Sequence, residues 1–302
     1  MNHHLDLDRV RHVARQAALA AGALLKQNYE KPHDIKMKSA IDPVTESDFA
    51  SQETIINLIH QNFPGHSILA EEEDVNAGEG ADELDAGKGA KGRGPLPSPL
   101  YPLAGTSGPW PSPQETIPPT HRWIIDPLDG TVNFAHGFPL FCVSIAFEAA
   151  GVMEYGVVYD PLREEVFEAS RGAGAFVNSR PLKVSRVDRL GAALLATGFP
   201  YDIRERLPET LTRIGRLLGV SQGLRRAGSA ALDLAYVAAG RLDGFWEENL
   251  KPWDTAAGVL LVLEAGGQVS TFNGNPYDLF SPNILASNGL LHQDLVEFIA
   301  AP

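Results

Sequence analysis

A layered α/β or α+β fold is predicted for this 302-residue chain. Three observations predict it: helical periodicity at the start, apolar runs broken by turn residues in the middle, and alternating helices and strands towards the end. The segment 5–29 repeats apolar residues at Leu7, Val10, Val13, Ala17, Ala21, Leu24 and Leu25, the spacing of a long amphipathic helix. The stretch MKSAIDPVTESD (37–48) is polar and turn-rich. A second helix is predicted from Phe49 to Gln61, with Ile55, Ile56, Leu58 and Ile59 inward. HSILAEEE (66–73) reads as a short strand ending in three acids. From residue 123 the runs FCVSIAF, VMEYGVVYD and EEVFEAS are broken at Ala150-Gly151 and Asp160-Pro161, as in an antiparallel meander, and GAFVN adds a short strand. Further on, 228–240 reads as helix, 242–247 as strand, and 253–267 as a helix closed by a glycine pair. A strand at 284–287 and a terminal helix at 289–300 complete the order, and no internal repeat is visible.

Composition changes between 75 and 120, where Gly, Pro, Ser and Ala dominate and large apolar residues are few before Trp110. Such a segment lacks the apolar surface to order itself. It reads as a long irregular insertion, either a plain surface excursion or a lid or partner-binding segment. Elsewhere the chain has an ordinary globular composition, 44% hydrophobic and 21% charged. No apolar run is long enough to span a membrane, and MNHHLDLDRVRHVARQ lacks the apolar core of a secretory signal, so a cytoplasmic location is the expectation. The single cysteine, Cys142, leaves no internal disulfide framework or cysteine-based zinc site and reads as a small core residue. A net charge of −13 argues against nucleic-acid binding, which needs a basic footprint. It does not exclude an anionic substrate, because bound cations can reverse the local sign.

The stretch WIIDPLDGTVNF (123–134) carries the chemistry. An apolar run leads into Asp126, and Asp129 follows after Pro127 and Leu128. Unpaired negative charge there is costly, so something cationic is expected. Proline ends a strand cleanly, and two carboxylates leaving such a corner can face one site. Hard divalent ions such as magnesium take carboxylate, carbonyl and water oxygens, and the Leu128 carbonyl lies between the two acids. Gly130-Thr131 stands at a possible helix start, where N–H groups can receive a phosphate. Each acidic signal has an ordinary alternative: Asp126 and Asp129 as turn formers, Glu71–Glu73 as a solvated charge run, Asp48 and Asp254 as helix caps. Together they describe several acids at the ends of elements, where a cluster can form.

Competing chemistries fit less well. The Asp-x-x-Asp spacing is not the Asp-x-Asp pair of haloacid-dehalogenase-type phosphatases. There is no Walker loop, no Gly-x-Ser-x-Gly elbow and no His-Glu-x-x-His pair among the nine histidines, although His136 sits near the motif.

AIDPVTESD (40–48), AEEE (70–73), WIIDPLDGTVNF (123–134), RRAGSAALDLAYVAAGRLDGFWE (225–247) and PWDTAAGVLLVLEAGG (252–267) resemble, in this order, the motifs of the inositol monophosphatase family. They span nearly the whole chain outside 75–120. The resemblance implies an α/β/α/β/α layered sandwich of the inositol monophosphatase and fructose bisphosphatase type over 5–300, with subdomains of about 5–185 and 186–300. It implies a homodimer and a magnesium-dependent, lithium-sensitive phosphatase with two or three ions per site. Glu71, Asp126 and the Leu128 carbonyl would hold the first magnesium, Asp126, Asp129 and Asp254 the second, and Glu71 again a third. Glu72 would support them. Thr131, paired with Asp48, would orient the attacking water; Gly130 and Thr131 would hold phosphate; Asp129, Ala230 and Glu247 would contact the polyol hydroxyls. The reaction implied is in-line attack by a metal-activated water without a phosphoenzyme.

Two registers stay open: the family's glutamate could be Glu71 or Glu72, and its lysine Lys36 or, in preference, Lys38. DGTVNF with HGFP resembles the inositol-specific members, and Glu247 suits a polyol. Fructose 1,6-bisphosphate, 3′-phosphoadenosine 5′-phosphate, NADP and histidinol phosphate remain alternatives, as does a regulatory binding protein using the insertion.

Overall fold

In the computed structural model, which describes residues 6–39, 42–72, 121–200 and 202–300, the chain opens with helix α1 (Leu7–Asn28). Asp6 caps it by accepting the Arg9 N–H at 3.0 Å. Its buried stripe, Val10, Val13, Ala14, Ala17, Ala18, Ala21 and Leu25, has helical spacing. A two-stranded ribbon follows, β1 (Lys36–Ser39) and β2 (Asp42–Val44), then α2 (Glu46–Asn62) and β3 (Ser67–Ala70). After the expected insertion, which lies outside the described residues, come β4 (His121–Asp129), the short α3 (Thr131–Ala135), β5 (Cys142–Ala149), β6 (Val152–Asp160), β7 (Glu165–Ser170), β8 (Gly174–Val177) and β9 (Arg180–Pro181). The remainder is β10 (Leu194–Thr197), α4 (Leu207–Leu218), β11 (Gly223–Arg225), α5 (Ala230–Ala238), β12 (Gly244–Glu248), α6 (Pro252–Glu264), β13 (Gln268–Ser270), β14 (Asn283–Ser287) and α7 (His292–Ala300).

Seven strands, β3 to β9, form one sheet in sequence order, antiparallel except for the parallel β3–β4 pair. A five-stranded sheet has the order β11-β10-β12-β14-β13. Helices α1 and α2 cover one face of the larger sheet; α5 and α6 fill the space between the sheets; α4 and α7 cover the far face of the smaller one. The result is the expected α/β/α/β/α sandwich. The larger sheet is buried on both faces, so its strands read as continuous apolar runs. Along β5, Val143, Ile145 and Phe147 face α1 and α2, while Cys142 and Ala146 face α5 and α6. Each fully buried side chain of this size contributes roughly 1.5–3 kcal/mol relative to exposure. The larger sheet ends at Pro181 and the smaller begins at Leu194, and the subdomain boundary expected near 185 is proposed in that interval.

Several local expectations shift. The polar stretch at 37–48 contains most of the β1–β2 ribbon, whose strands of four and three residues are too short to show an apolar alternation. The second helix begins at Glu46 rather than Phe49, because Thr45 supplies its cap. Asp48 and Asp254 are therefore not caps but third residues of their helices, each accepting the N–H of the residue three before it. The strand expected over 66–73 ends at Ala70, before the acids. Among the described residues no helix is long and apolar enough to cross a membrane.

The central helices are alanine-rich because two sheets close on them. An ideal Cβ on Gly156 of β6 would stand 2.8 Å from the Ala257 Cα of α6, a backbone contact with nothing flexible to give way. Gly156→Ala is therefore expected to destabilise the protein by about 1–3 kcal/mol, measured by denaturant unfolding. An unchanged midpoint would contradict the close approach.

Candidate active site

The acids converge because three chain segments end at one place. The Glu71 N–H donates to the Ile125 carbonyl at 3.2 Å, which fixes Glu71 beside Asp126 just after β3. In a regular strand, residues three apart point to opposite faces. Strand β4 does not stop at Asp126 as expected from Pro127. It continues through a bulge, in which Asp126 pairs with Ser144 and Asp129 with Cys142, three steps against two. The extra residue brings both carboxylates to one side. Pro127 is tolerated there because a bulge leaves an N–H unneeded, and the Leu128 N–H donates to Asp126 Oδ1 at 3.0 Å. Gly130 then turns with φ +98°, and a Cβ there would meet the Leu140 carbonyl at 3.0 Å. Across the cleft, Asp254 sits in the first turn of α6, held by the Lys251 N–H at 2.7 Å.

Glu71, Asp126, Asp129 and Asp254 line one cleft of about 280 Å³, together with the Leu128 backbone segment. Gly130, Thr131, Ala230 and Glu247 line it too. Asp48 lies fully buried behind it; its Oδ1 accepts from the Thr131 hydroxyl at 2.9 Å, and its Oδ2 from the Thr45 N–H and hydroxyl. The Leu128 carbonyl stands 3.0 Å from the same Thr131 hydroxyl. Asp129 Oδ2 accepts from the Ser229 hydroxyl and the Ala231 N–H, both at 2.7 Å, so the first turn of α5 holds it. The contacts support proposing Glu71 and Lys38 at the two open registers. Lys38 pairs with Glu71 at 3.0 Å and with Glu72, whereas Lys36 makes no ion pair among the described residues. Glu71 lines the cleft, while Glu72 is buried beside Gln52, which bonds its backbone N–H and carbonyl. Glu73 lies outside the described residues.

Sequence reasoning missed Asp233, Ser229, Arg226 and Phe199, which also line the cleft. Arg226 stacks on Phe199, 5.1 Å from the ring centre. The signal for Asp233 was available: it is the one acid in the otherwise apolar helix AALDLAYVA.

Like charges in a confined space raise one another's pKa. Burial, then the carboxylates of Glu71, Asp129 and Asp254, push Asp126 well up. Burial lifts Glu71 to about 7 against the pull of Lys38, and lifts Asp129 to about 6 against the hydrogen bonds from Ser229 and α5. Asp254 rises through burial and then the repulsion of Glu71 and Asp129. Burial alone would lower the Lys38 ammonium, but Glu71 and Glu72 override it and hold it up. After burial, Glu71 is the foremost of the carboxylates that push Asp126 up. Among the described residues no three acidic, imidazole or thiol groups already form a closed ligand cage. The donor set nevertheless fits a hard divalent ion: four carboxylates and one neighbouring carbonyl on one cleft.

The sign of the pH dependence follows. Raised carboxyl pKa values give the folded state more bound protons than the unfolded state. Their stabilisation is complete below the unfolded value of 4.5 for Glu71 and 3.8 for Asp129, and is lost as pH rises through about 7 and about 6. Chelator-treated protein is expected to melt at falling temperatures between about pH 5 and pH 8, with added magnesium raising the melting temperature most at the upper end. A melting temperature that climbs over this range, with an equal magnesium effect throughout, would contradict the cluster.

Comparison with known proteins agrees with this geometry. The model of the Inositol monophosphatase family matches residues 6–301. The chain is 40% identical over 297 residues to a Synechocystis inositol-1-monophosphatase, covering 98% of this chain and 90% of that protein. It is 43% identical over 282 residues to the Pseudomonas aeruginosa Nus factor SuhB, covering 91% and 90%. The crystal structure of the extragenic suppressor protein suhB from Bartonella henselae superposes with a TM-score of 0.79 at 37% identity, covering 96% of this chain and 98% of that one. With its sandwich, its acidic cleft and a family match over nearly its whole length, this chain belongs to the inositol monophosphatase family.

Proposed function

We propose that this chain, a phosphatase of the inositol monophosphatase family, uses magnesium to hydrolyse inositol monophosphate to inositol and phosphate. The observation that carries this reading is the convergence on one cleft of four carboxylates, the Thr131–Asp48 pair and the Glu247 carboxyl. The Synechocystis relative's name supports the substrate.

In this reading Glu71, Asp126, Asp129, Asp254 and the Leu128 carbonyl hold two or three magnesium ions. Bound there, the ions would neutralise phosphate charge and lower the pKa of the attacking water. The residues do the rest. Thr131 Oγ1, 2.9 Å from Asp48 Oδ1, commits its hydrogen to that carboxylate and turns a lone pair towards the water, orienting it and taking its proton. Burial raises the Asp48 carboxyl, which suits it to accept the relayed proton, while its bonds from Thr45 keep it in place. Gly130 and Thr131 receive the phosphate. Asp129, Ala230 and Glu247 face the polyol, and Glu247, lifted by burial to about 8, can donate as well as accept a hydrogen bond to a hydroxyl. Lys38 holds Glu71 and Glu72 by ion pairs at the edge of the cleft. A homodimer belongs to the same reading.

Phosphate release from inositol 1-phosphate, fructose 1,6-bisphosphate, 3′-phosphoadenosine 5′-phosphate, NADP and histidinol phosphate tests it, each with magnesium, chelator or added lithium. Inositol 1-phosphate should be preferred, with activity lost in chelator and inhibited by lithium. Preference for another member would move the substrate and keep the site. Asp129→Asn should lower kcat/KM about a thousandfold, several kcal/mol of transition-state stabilisation, in a folded protein. Thr131→Ala should lower kcat about 10²–10⁴-fold while changing magnesium affinity little. Loss of affinity alone would contradict its role in holding the water.

A second reading rests on the name Nus factor carried by relatives at 41–43% identity: the chain also binds transcription machinery, through the insertion at 75–120. A pull-down that loses its partner on deletion of 76–119, with hydrolysis unchanged, would support it. No partner above background would end it.

A further inference from the structure

Asp233 has no task in the mechanism above. It sits on α5, is 2% exposed and lines the cleft, yet among the described residues its Oδ1 is buried without a hydrogen-bond partner. Leaving such an oxygen unpaired costs stability, and a native protein that keeps one needs a reason. Glu247 of β12 lines the same cleft, and Asp233 is the foremost charged group acting on it. The two carboxyls share the cleft wall, and Asp129 of the cation site acts on both.

We propose that Asp233 is a specificity-determining residue whose Oδ1 accepts a hydrogen bond from a leaving-group hydroxyl, directly or across one water, beside a second hydroxyl met by Glu247. The pair then selects phosphates of polyols with neighbouring hydroxyls. The proposal rests on the phosphatase reading and deepens it. A phosphate group does not fit here, because two carboxyls repel it. An ammonium group fits less well than a hydroxyl, because the Arg226 guanidinium already offsets the charge of both acids. A hydroxyl supplies a neutral donor and adds no charge. Burial pushes the Asp233 carboxyl well up, so it too can donate as well as accept, as a polyol face requires.

The test compares kcat/KM for inositol 1-phosphate with that for 4-nitrophenyl phosphate, whose leaving group carries no neighbouring hydroxyls, in wild type, Asp233→Leu and Asp233→Asn. The leucine variant should lower the ratio about 5- to 100-fold, the cost of an unmade hydrogen bond. Asparagine, which keeps an acceptor and a donor, should restore part of it. Replacing an unpartnered carboxyl with a similar apolar shape should leave the melting temperature equal or higher. A leucine variant that fails to fold or melts lower would overturn the proposal, since Asp233 would then have a structural partner. So would a ratio within about twofold of wild type. Wild-type preference for O-phosphoethanolamine over inositol 1-phosphate would overturn the hydroxyl assignment. Wild type with no polyol preference at all would fail the phosphatase reading itself, whereas a preference that survives in the leucine variant fails this inference alone.

Discussion

Mutual repulsion among Glu71, Asp126, Asp129 and Asp254 is the constraint on which the rest of the structure depends. Burial pushes all four carboxyls up on one cleft, with Lys38 paired to one of them, and repulsion from their neighbours adds to the rise at Asp126 and Asp254. Only a rigid surround can hold such an arrangement. The layered fold provides it: β3 and β4 run parallel and deliver Glu71 beside Asp126, the β4 bulge turns Asp129 to the same side, and α6 brings Asp254 from the middle layer. Asp126, Asp129 and Asp254 are each tied by a backbone or hydroxyl donor and Glu71 by the Lys38 ammonium, so repulsion cannot relax by moving side chains away.

The middle layer explains how a site can be built where sheets and helices meet. Small residues on α5 and α6 let both sheets approach, and the backbone contact of Gly156 with Ala257 marks how closely. The first turn of α5 can therefore reach Asp129 with both Ser229 and Ala231, and β12 of the smaller sheet can bring Glu247 into a cleft whose acids come mostly from the larger one.

Much of this was legible in the sequence. The α1 stripe, the meander and the alanine-rich helices follow from periodicity alone, because long elements repeat their signal. The acids were legible as a set because each ends or begins an element. The bulge was not: Pro127 reads as a strand end, and only the pairing of β4 with β5 shows that the strand resumes. The β1–β2 ribbon was hidden because strands of four and three residues are too short to show an alternation. Strands β10 and β11 are three or four residues long, too short for a periodic signal, whereas helix α4 carries Leu207, Leu211, Ile214 and Leu218 at helical spacing and was legible but passed over. Asp233 was passed over because an acid near a helix start is ordinary; its burial, visible only in the fold, makes it unusual.

The most direct test of the central claim is an anomalous-scattering map from crystals soaked in manganese, a stand-in for magnesium that scatters well. The account predicts peaks inside the cleft with Asp126 carboxylate oxygens in reach of more than one ion, at about 2.0–2.3 Å, and with Glu71, Asp129 and Asp254 as the other carboxylate ligands. A cleft without anomalous density, or ions bound only elsewhere on the acidic surface, would contradict it.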